Sequence, residues 1–152
     1  MEKDDVAFMK EALEEALMAY QEGEVPVGAV VIRAGEIIGR GRNRREKDLD
    51  ISSHAEINAL KDAAKNLGRW DLSDCCLYVT LEPCLMCAGA ILQSRIRSLC
   101  FGAEDKKAGA ITSNYHVFDA QNISTPPLVD KNILQGECEA ILKRFFSEKR
   151  SQ

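Results

Sequence analysis

The run Leu77-Tyr78-Val79-Thr80-Leu81, followed by Glu82-Pro83, constrains the fold more than any other segment. It reads as a short buried strand, and Pro83 sits where the first turn of a helix tolerates proline best, so a helix is predicted from about Pro83 to Gln93. Ile96 to Phe101 is a second strand. Two strands joined through a helix pair in parallel by a right-handed crossover, and parallel strands need cover on both faces. The chain must therefore build a layered α/β domain around this unit.

The flanking segments supply the rest. Val6, Met9, Leu13, Leu17 and Tyr20 recur at helical spacing behind Asp4-Asp5, and Gly23 stops that helix. Val25 to Ile32 and Ile37 to Gly41 are β-branched runs separated by Arg33-Ala34-Gly35-Glu36, which predicts a hairpin. A polar stretch from Asn43 to Ser52 leads into a helix with Ile57, Leu60, Ala64 and Leu67 on one face and Gly68 at its end. Thr125-Pro126-Pro127-Leu128-Val129 allows at most a short edge strand, because proline cannot donate to a ladder. Leu134, Cys138, Ile141, Leu142 and Phe145 make a closing amphipathic helix. The architecture this predicts is one three-layer α/β/α domain over residues 1–152, a mixed five-stranded sheet with helices on both faces. A chain of 152 residues has room for one such core.

Composition narrows the setting. No apolar run reaches the ~18 residues of a membrane span, and the acidic start Met1-Glu2-Lys3-Asp4-Asp5 is unlike a secretory signal, so the expected location is cytoplasmic. In that compartment six cysteines are not a disulfide framework; Cys75, Cys76, Cys100 and Cys138 read as small buried hydrophobes, and a Cys-x-x-Cys pair points to metal or redox work. The formal net charge of −4 gives no whole-molecule attraction for nucleic acid. Basic residues do cluster locally, at Arg40, Arg42, Arg44, Arg45 and Lys47 and again at Lys143, Arg144, Lys149 and Arg150.

The chemistry concentrates in two short motifs. Cys84 and Cys87, three apart in a first helical turn, lie on one face, where exposed backbone N–H groups and the positive helix end favour the thiolates that zinc requires. His54 and Glu56, at the head of the preceding helix, offer a third ligand and an acid/base group. Ser53-x-x-Glu56 is also a capping box, which would give Glu56 a purely local task. Residues two apart on a helix point about 200° from each other, so His54 and Glu56 can serve one centre only if it lies off the helix end. Three protein ligands would leave zinc one open position, the catalytic pattern, whereas a fourth from His116 or another cysteine would make a structural knot.

His54-Ala55-Glu56 followed by Pro83-Cys84-Leu85-Met86-Cys87 matches the zinc deaminase signature. With Glu24-Val25-Pro26-Val27-Gly28-Ala29-Val30, Asn43, the run Leu77 to Ala90, Phe101-Gly102-Ala103 and the closing Glu137-Cys138 through Phe145-Phe146, nearly the whole chain resembles the bacterial tRNA-specific adenosine deaminases. The resemblance implies a cytidine deaminase-like fold and a homodimer that converts the wobble adenosine of a tRNA anticodon loop to inosine. By position, His54, Cys84 and Cys87 would hold Zn2+, Glu56 would move protons and Asn43 would hold the purine. Val27 and Ala55 would wall the base, Asp105 and Lys107 would contact RNA, and Arg44, Arg45, Lys149 and Arg150 are candidates for phosphate. The segment from Thr112 to Pro127 departs from the family pattern. Deamination of a free base or nucleoside (guanine or cytosine), or a zinc-stabilised binding module without turnover, are the alternatives.

Overall fold

The computed structural model describes residues 2 to 151 other than 122 and 124. Helix α1 (Glu2–Gln21) precedes the hairpin β1 (Gly28–Arg33) and β2 (Glu36–Arg42), a one-turn α2 (Arg45–Asp48) and α3 (Ala55–Leu67). Strand β3 (Cys76–Leu81), α4 (Leu85–Ser94) and β4 (Ser98–Ala103) form the expected crossover, and β5 (Leu128–Lys131) and α5 (Gln135–Arg150) close the chain. The sheet runs β2-β1-β3-β4-β5. Strand β1 is antiparallel to both neighbours, while β3–β4 and β4–β5 are parallel, so β2, β3, β4 and β5 all point the same way. This is the mixed five-stranded, three-layer architecture expected from the sequence.

Alternation along β1 divides the core. Ala29 and Val31 join Leu77, Val79, Leu99 and Phe101 under α3 and α4, while Val30 and Ile32 join Tyr78 and Cys100 under α1 and α5. The layers approach closely where side chains are absent: a Cβ on Gly41 of β2 would lie 2.3 Å from the Ala59 nitrogen and 2.4 Å from the Ala55 carbonyl oxygen of α3. That contact fixes where α3 begins.

Three details differ from the sequence expectations. The stripe that α1 buries is Met9, Ala12, Ala16 and Ala19, with Val6 and Leu17 left exposed. Small residues win because α1 lies almost on the backbone of β1, where a Cβ on Gly28 would meet the Ala12 carbonyl oxygen at 2.0 Å. The polar stretch after Asn43 contains α2, too short and too charged to show a helical period. Residues 25–27 are not strand; Val27 stays in the cluster of Ala29 and Val31 with Val25 packed against it, and both also line a cavity.

Candidate active site

The helices α3 and α4 follow the C-terminal ends of β2 and β3, which point the same way, so their N-termini meet at one edge of the sheet. His54 is the residue before α3 and Cys84 the residue before α4, both with extended backbone. Cys84 is thus a cap position and not part of the helix, which starts at Leu85. Cys87, one turn on, still converges with it. His54 Nδ1 lies 3.7 Å from Cys84 Sγ and 3.5 Å from Cys87 Sγ, and the three donor atoms all fall within 4.8 Å of one another. A tetrahedral zinc bound through one nitrogen and two thiolates would hold nitrogen and sulfur about 3.6 Å apart, so the three donors fit that metal without rearrangement. No fourth His, Cys, Asp or Glu joins the group among the described residues. His116, the possible fourth ligand, is exposed ahead of a short turn at Val117–Asp119.

The thiols already behave as a pair. The hydrogen bond from Cys87 holds Cys84 down to about 3 as a thiolate, and the same bond pushes Cys87 up. The bond to Cys84 raises His54. Glu56 lies in the first turn of α3 and is almost wholly buried, and burial pushes its carboxyl up to about 7. The capping-box alternative does not hold: the residue that caps α3 is His54, and the Ser53 hydroxyl donates to Asp48 Oδ2 at 2.7 Å and accepts from Asn58 Nδ2 at 3.1 Å. Glu56 is left facing the centre.

A cavity of about 230 Å³ opens over this centre, and His54, Glu56 and Cys84 reach it. Of the other expected site residues, Val27, Asn43, Ala55 and Asp105 line it, and Lys107 does not. Asn43 is partly committed to the fold, since its Nδ2 donates to the Val25 carbonyl at 3.1 Å and its Oδ1 accepts the Arg45 N–H at 3.2 Å. The Asp105 carboxylate accepts the N–H groups of Lys107 and Ala108 and so shapes its own loop. Arg44 is drawn into ion pairs with Glu22 and Asp48, both at 3.3 Å. Lys149 and Arg150 end α5, whose Phe145 packs edge-on against Tyr20 at the end of α1, before the turn that leads to Val25.

One buried group carries more of the site than its sequence context suggested. Glu82, 2% exposed, accepts the backbone N–H groups of Asp105, Ile111, Thr112 and Ser113 together with the Ser113 hydroxyl. Burial alone would raise its carboxyl, but the Ser113 hydroxyl and the N–H groups of Thr112, Asp105 and Ile111 hold it below the ordinary range. Gly109 packs on it so tightly that a Cβ would lie 2.4 Å from Glu82 Oε1. The divergent segment therefore begins as a loop wrapped around this carboxylate. The signal was a charge placed between a buried strand and a proline, which only a ring of donors could make tolerable.

A three-layer mixed sheet with one imidazole, two thiols and a buried glutamate at the heads of two adjacent helices defines the class: a deaminase of the cytidine deaminase-like fold. The model of the MafB19-like deaminase family matches residues 3–150. A tRNA-specific adenosine deaminase of Haemophilus influenzae is 47% identical over 149 residues, 97% of this chain and 86% of that one. A solved structure from work on A-to-I editing by tRNA:A34 deaminases at the wobble position of transfer RNA superposes with a TM-score of 0.87 at 42% identity, covering 90% of this chain and 99% of the other. A guanine deaminase from Nitrosomonas europaea superposes with a TM-score of 0.80 at 28% identity over 93% of this chain and 84% of that one. The chain belongs to the family of the tRNA-specific adenosine deaminases.

Proposed function

We propose that this protein hydrolyses the wobble adenosine of a tRNA anticodon loop to inosine and ammonia, with zinc held by His54, Cys84 and Cys87. The observation that carries the reading is the donor triangle, fitted to a metal, at the foot of a cavity that Glu56 shares. Zinc held by these three residues would supply Lewis acidity, which would make water a nucleophile near neutral pH. The Glu56 carboxylate takes a proton from the attacking water and passes it to the ring nitrogen beside carbon 6. It then takes the proton of the new hydroxyl on carbon 6 and delivers it to the exocyclic amine, so that the carbonyl forms as the bond from carbon 6 to nitrogen breaks and ammonia leaves. Val27 and Ala55 wall the base and exclude water, and Asn43 offers the purine what its amide has left after Val25 and Arg45. Asp105 meets RNA at the mouth, and Lys107 does so from outside the cavity.

The protein is read as a single deaminase domain across residues 1–152, because both apolar clusters form on one sheet. A homodimer is supported by an exposed apolar groove between α3 and α4, lined by Leu60, Ala64, Trp70 and Ala90. A cytoplasmic location is supported by six cysteines free of disulfides, and no helix of the described residues is long and apolar enough to cross a membrane. The deciding experiment supplies the zinc-loaded protein with tRNA, adenosine, guanine and cytosine in parallel and measures ammonia and inosine. Inosine in tRNA is expected; ammonia from guanine or cytosine alone would overturn the substrate and leave the zinc chemistry standing. A loaded protein that deaminates nothing would favour the non-catalytic module.

A further inference from the structure

The basic residues beside the cavity are not equivalent. Arg40 is bound to Glu11 and Glu15, Arg42 to Glu15 and Glu22, and Arg44 to Glu22 and Asp48. Arg45, next in the chain, lines the cavity, is 54% exposed in its side chain, and among the described residues pairs only with the exposed Glu46 carboxylate at 3.8 Å. A surface pair of that kind holds an arginine weakly. Its backbone is clamped all the same: the Arg45 N–H donates to Asn43 Oδ1, and its carbonyl accepts the Asp50 N–H at 3.1 Å. The next two N–H groups, of Glu46 and Lys47, are held by the buried Glu24 carboxylate at 3.1 and 2.7 Å. The fold thus spends a buried carboxylate on fixing the root of a side chain whose guanidinium lies at the mouth, held loosely by Glu46.

The cavity of about 230 Å³ lies below the ~300–1,000 Å³ usual for whole small-molecule ligands. It takes a base and leaves the ribose and its phosphates at the mouth, beside Arg45. We propose that Arg45 binds a phosphate adjoining the nucleotide whose base fills the cavity, and so selects a nucleotide within a chain over a free base. Arginine suits this role because its planar fork matches phosphate geometry. The inference rests on the RNA reading above and adds the residue that enforces it.

The test compares wild type, Arg45→Ala and Arg45→Lys on an anticodon stem-loop across a salt series, with a second stem-loop in which each phosphate flanking the target adenosine is in turn a neutral methylphosphonate. One charge-assisted contact predicts a loss of kcat/KM of about 10- to 150-fold in Arg45→Ala, expressed in KM. The salt slope should fall by about 0.7, one phosphate's share, and Arg45→Lys should recover most of both. One methylphosphonate should cost the wild type the same factor and cost Arg45→Ala nothing more. Equal thermal midpoints keep folding out of the comparison. If the wild type edits the stem-loop and Arg45→Ala matches its kcat/KM and slope, or the two losses multiply, the role of Arg45 is refuted and the RNA reading survives. A wild type that leaves the stem-loop unedited and deaminates a free base refutes both.

Discussion

Replacing Glu82 by glutamine keeps the side chain's shape and removes its charge, and the consequence can be worked from its partners. One amide oxygen can still accept from Ile111, Thr112 and Ser113, whose N–H groups lie 3.0, 2.8 and 3.0 Å from Oε2. The new NH2 group then faces the Asp105 N–H, 3.0 Å from Oε1 in the wild type, donor against donor, while the Ser113 hydroxyl can rotate to accept. Four charge-assisted bonds become neutral and one is lost; set against the burial cost of the charge, which the amide does not carry, the net is about 3–4 kcal/mol. Urea unfolding at neutral pH should report that difference. Glu82 sits below its ordinary range, so its contribution is present above the unfolded carboxyl value of about 4.3 and fades as pH falls through the lower folded value. Glu82→Gln should therefore lose less stability between neutral pH and about pH 3 than the wild type does. Because Asp105 lines the cavity from the same loop, KM should rise while metal content stays unchanged. A Glu82→Gln protein within about 0.5 kcal/mol of wild type would refute the account of the loop as a shell around a charge.

Glu56→Ala should keep its metal and lose turnover by about 10²- to 10⁴-fold, as elemental analysis and an inosine assay will report; loss of metal would contradict its separation from the ligands. Cys87→Ala, or a chelator acting on the wild type, should remove the metal and lower the melting temperature, and unchanged melting would mean the donors do not hold an ion that stabilises the fold. Gly41→Ala should destabilise by about 2–4 kcal/mol in urea unfolding, since its Cβ would meet α3 backbone and not a movable side chain. Burial pushes the thiols of Cys75, Cys100 and Cys138 up to about 12, so the stability they contribute is complete below the unfolded value of about 8.5 and is lost as pH rises toward the folded one. Urea midpoints should fall steadily above about pH 9, and a flat profile to about pH 11 would argue against it.

The layers, the hairpin and the crossover were legible in the sequence because each is written in a local period or a turn residue. The face of α1 was not. Large residues there advertise one stripe, but where α1 crosses Gly28 the spacing favours the small Ala12 and Ala16, and that spacing is a property of a residue in another element. Among site residues, His54, Glu56, Cys84 and Cys87 could be picked out by residue type and spacing. Whether Glu56 faced the centre or capped a helix depended on where α3 begins, which Ala55, Ala59 and Gly41 settle by contact. The basic loop could be counted but not sorted, since the carboxylates that neutralise Arg40, Arg42 and Arg44 come from α1 and the residue after it, some twenty to thirty positions earlier.

The donor triangle also sets an order of events during folding. Two of its atoms lie within one turn of each other, but His54 stands 30 residues upstream of Cys84 on a different strand–helix unit. During synthesis the histidine emerges first and has no partner. The sulfurs follow, and all three converge only when β3 has slotted beside β1 in register, Ala29 against Val79, with α3 seated on Gly41. An ion captured by all three is therefore a reporter of finished topology, and the rate of tight metal uptake after dilution from denaturant should track the closing of the sheet, not the formation of either helix.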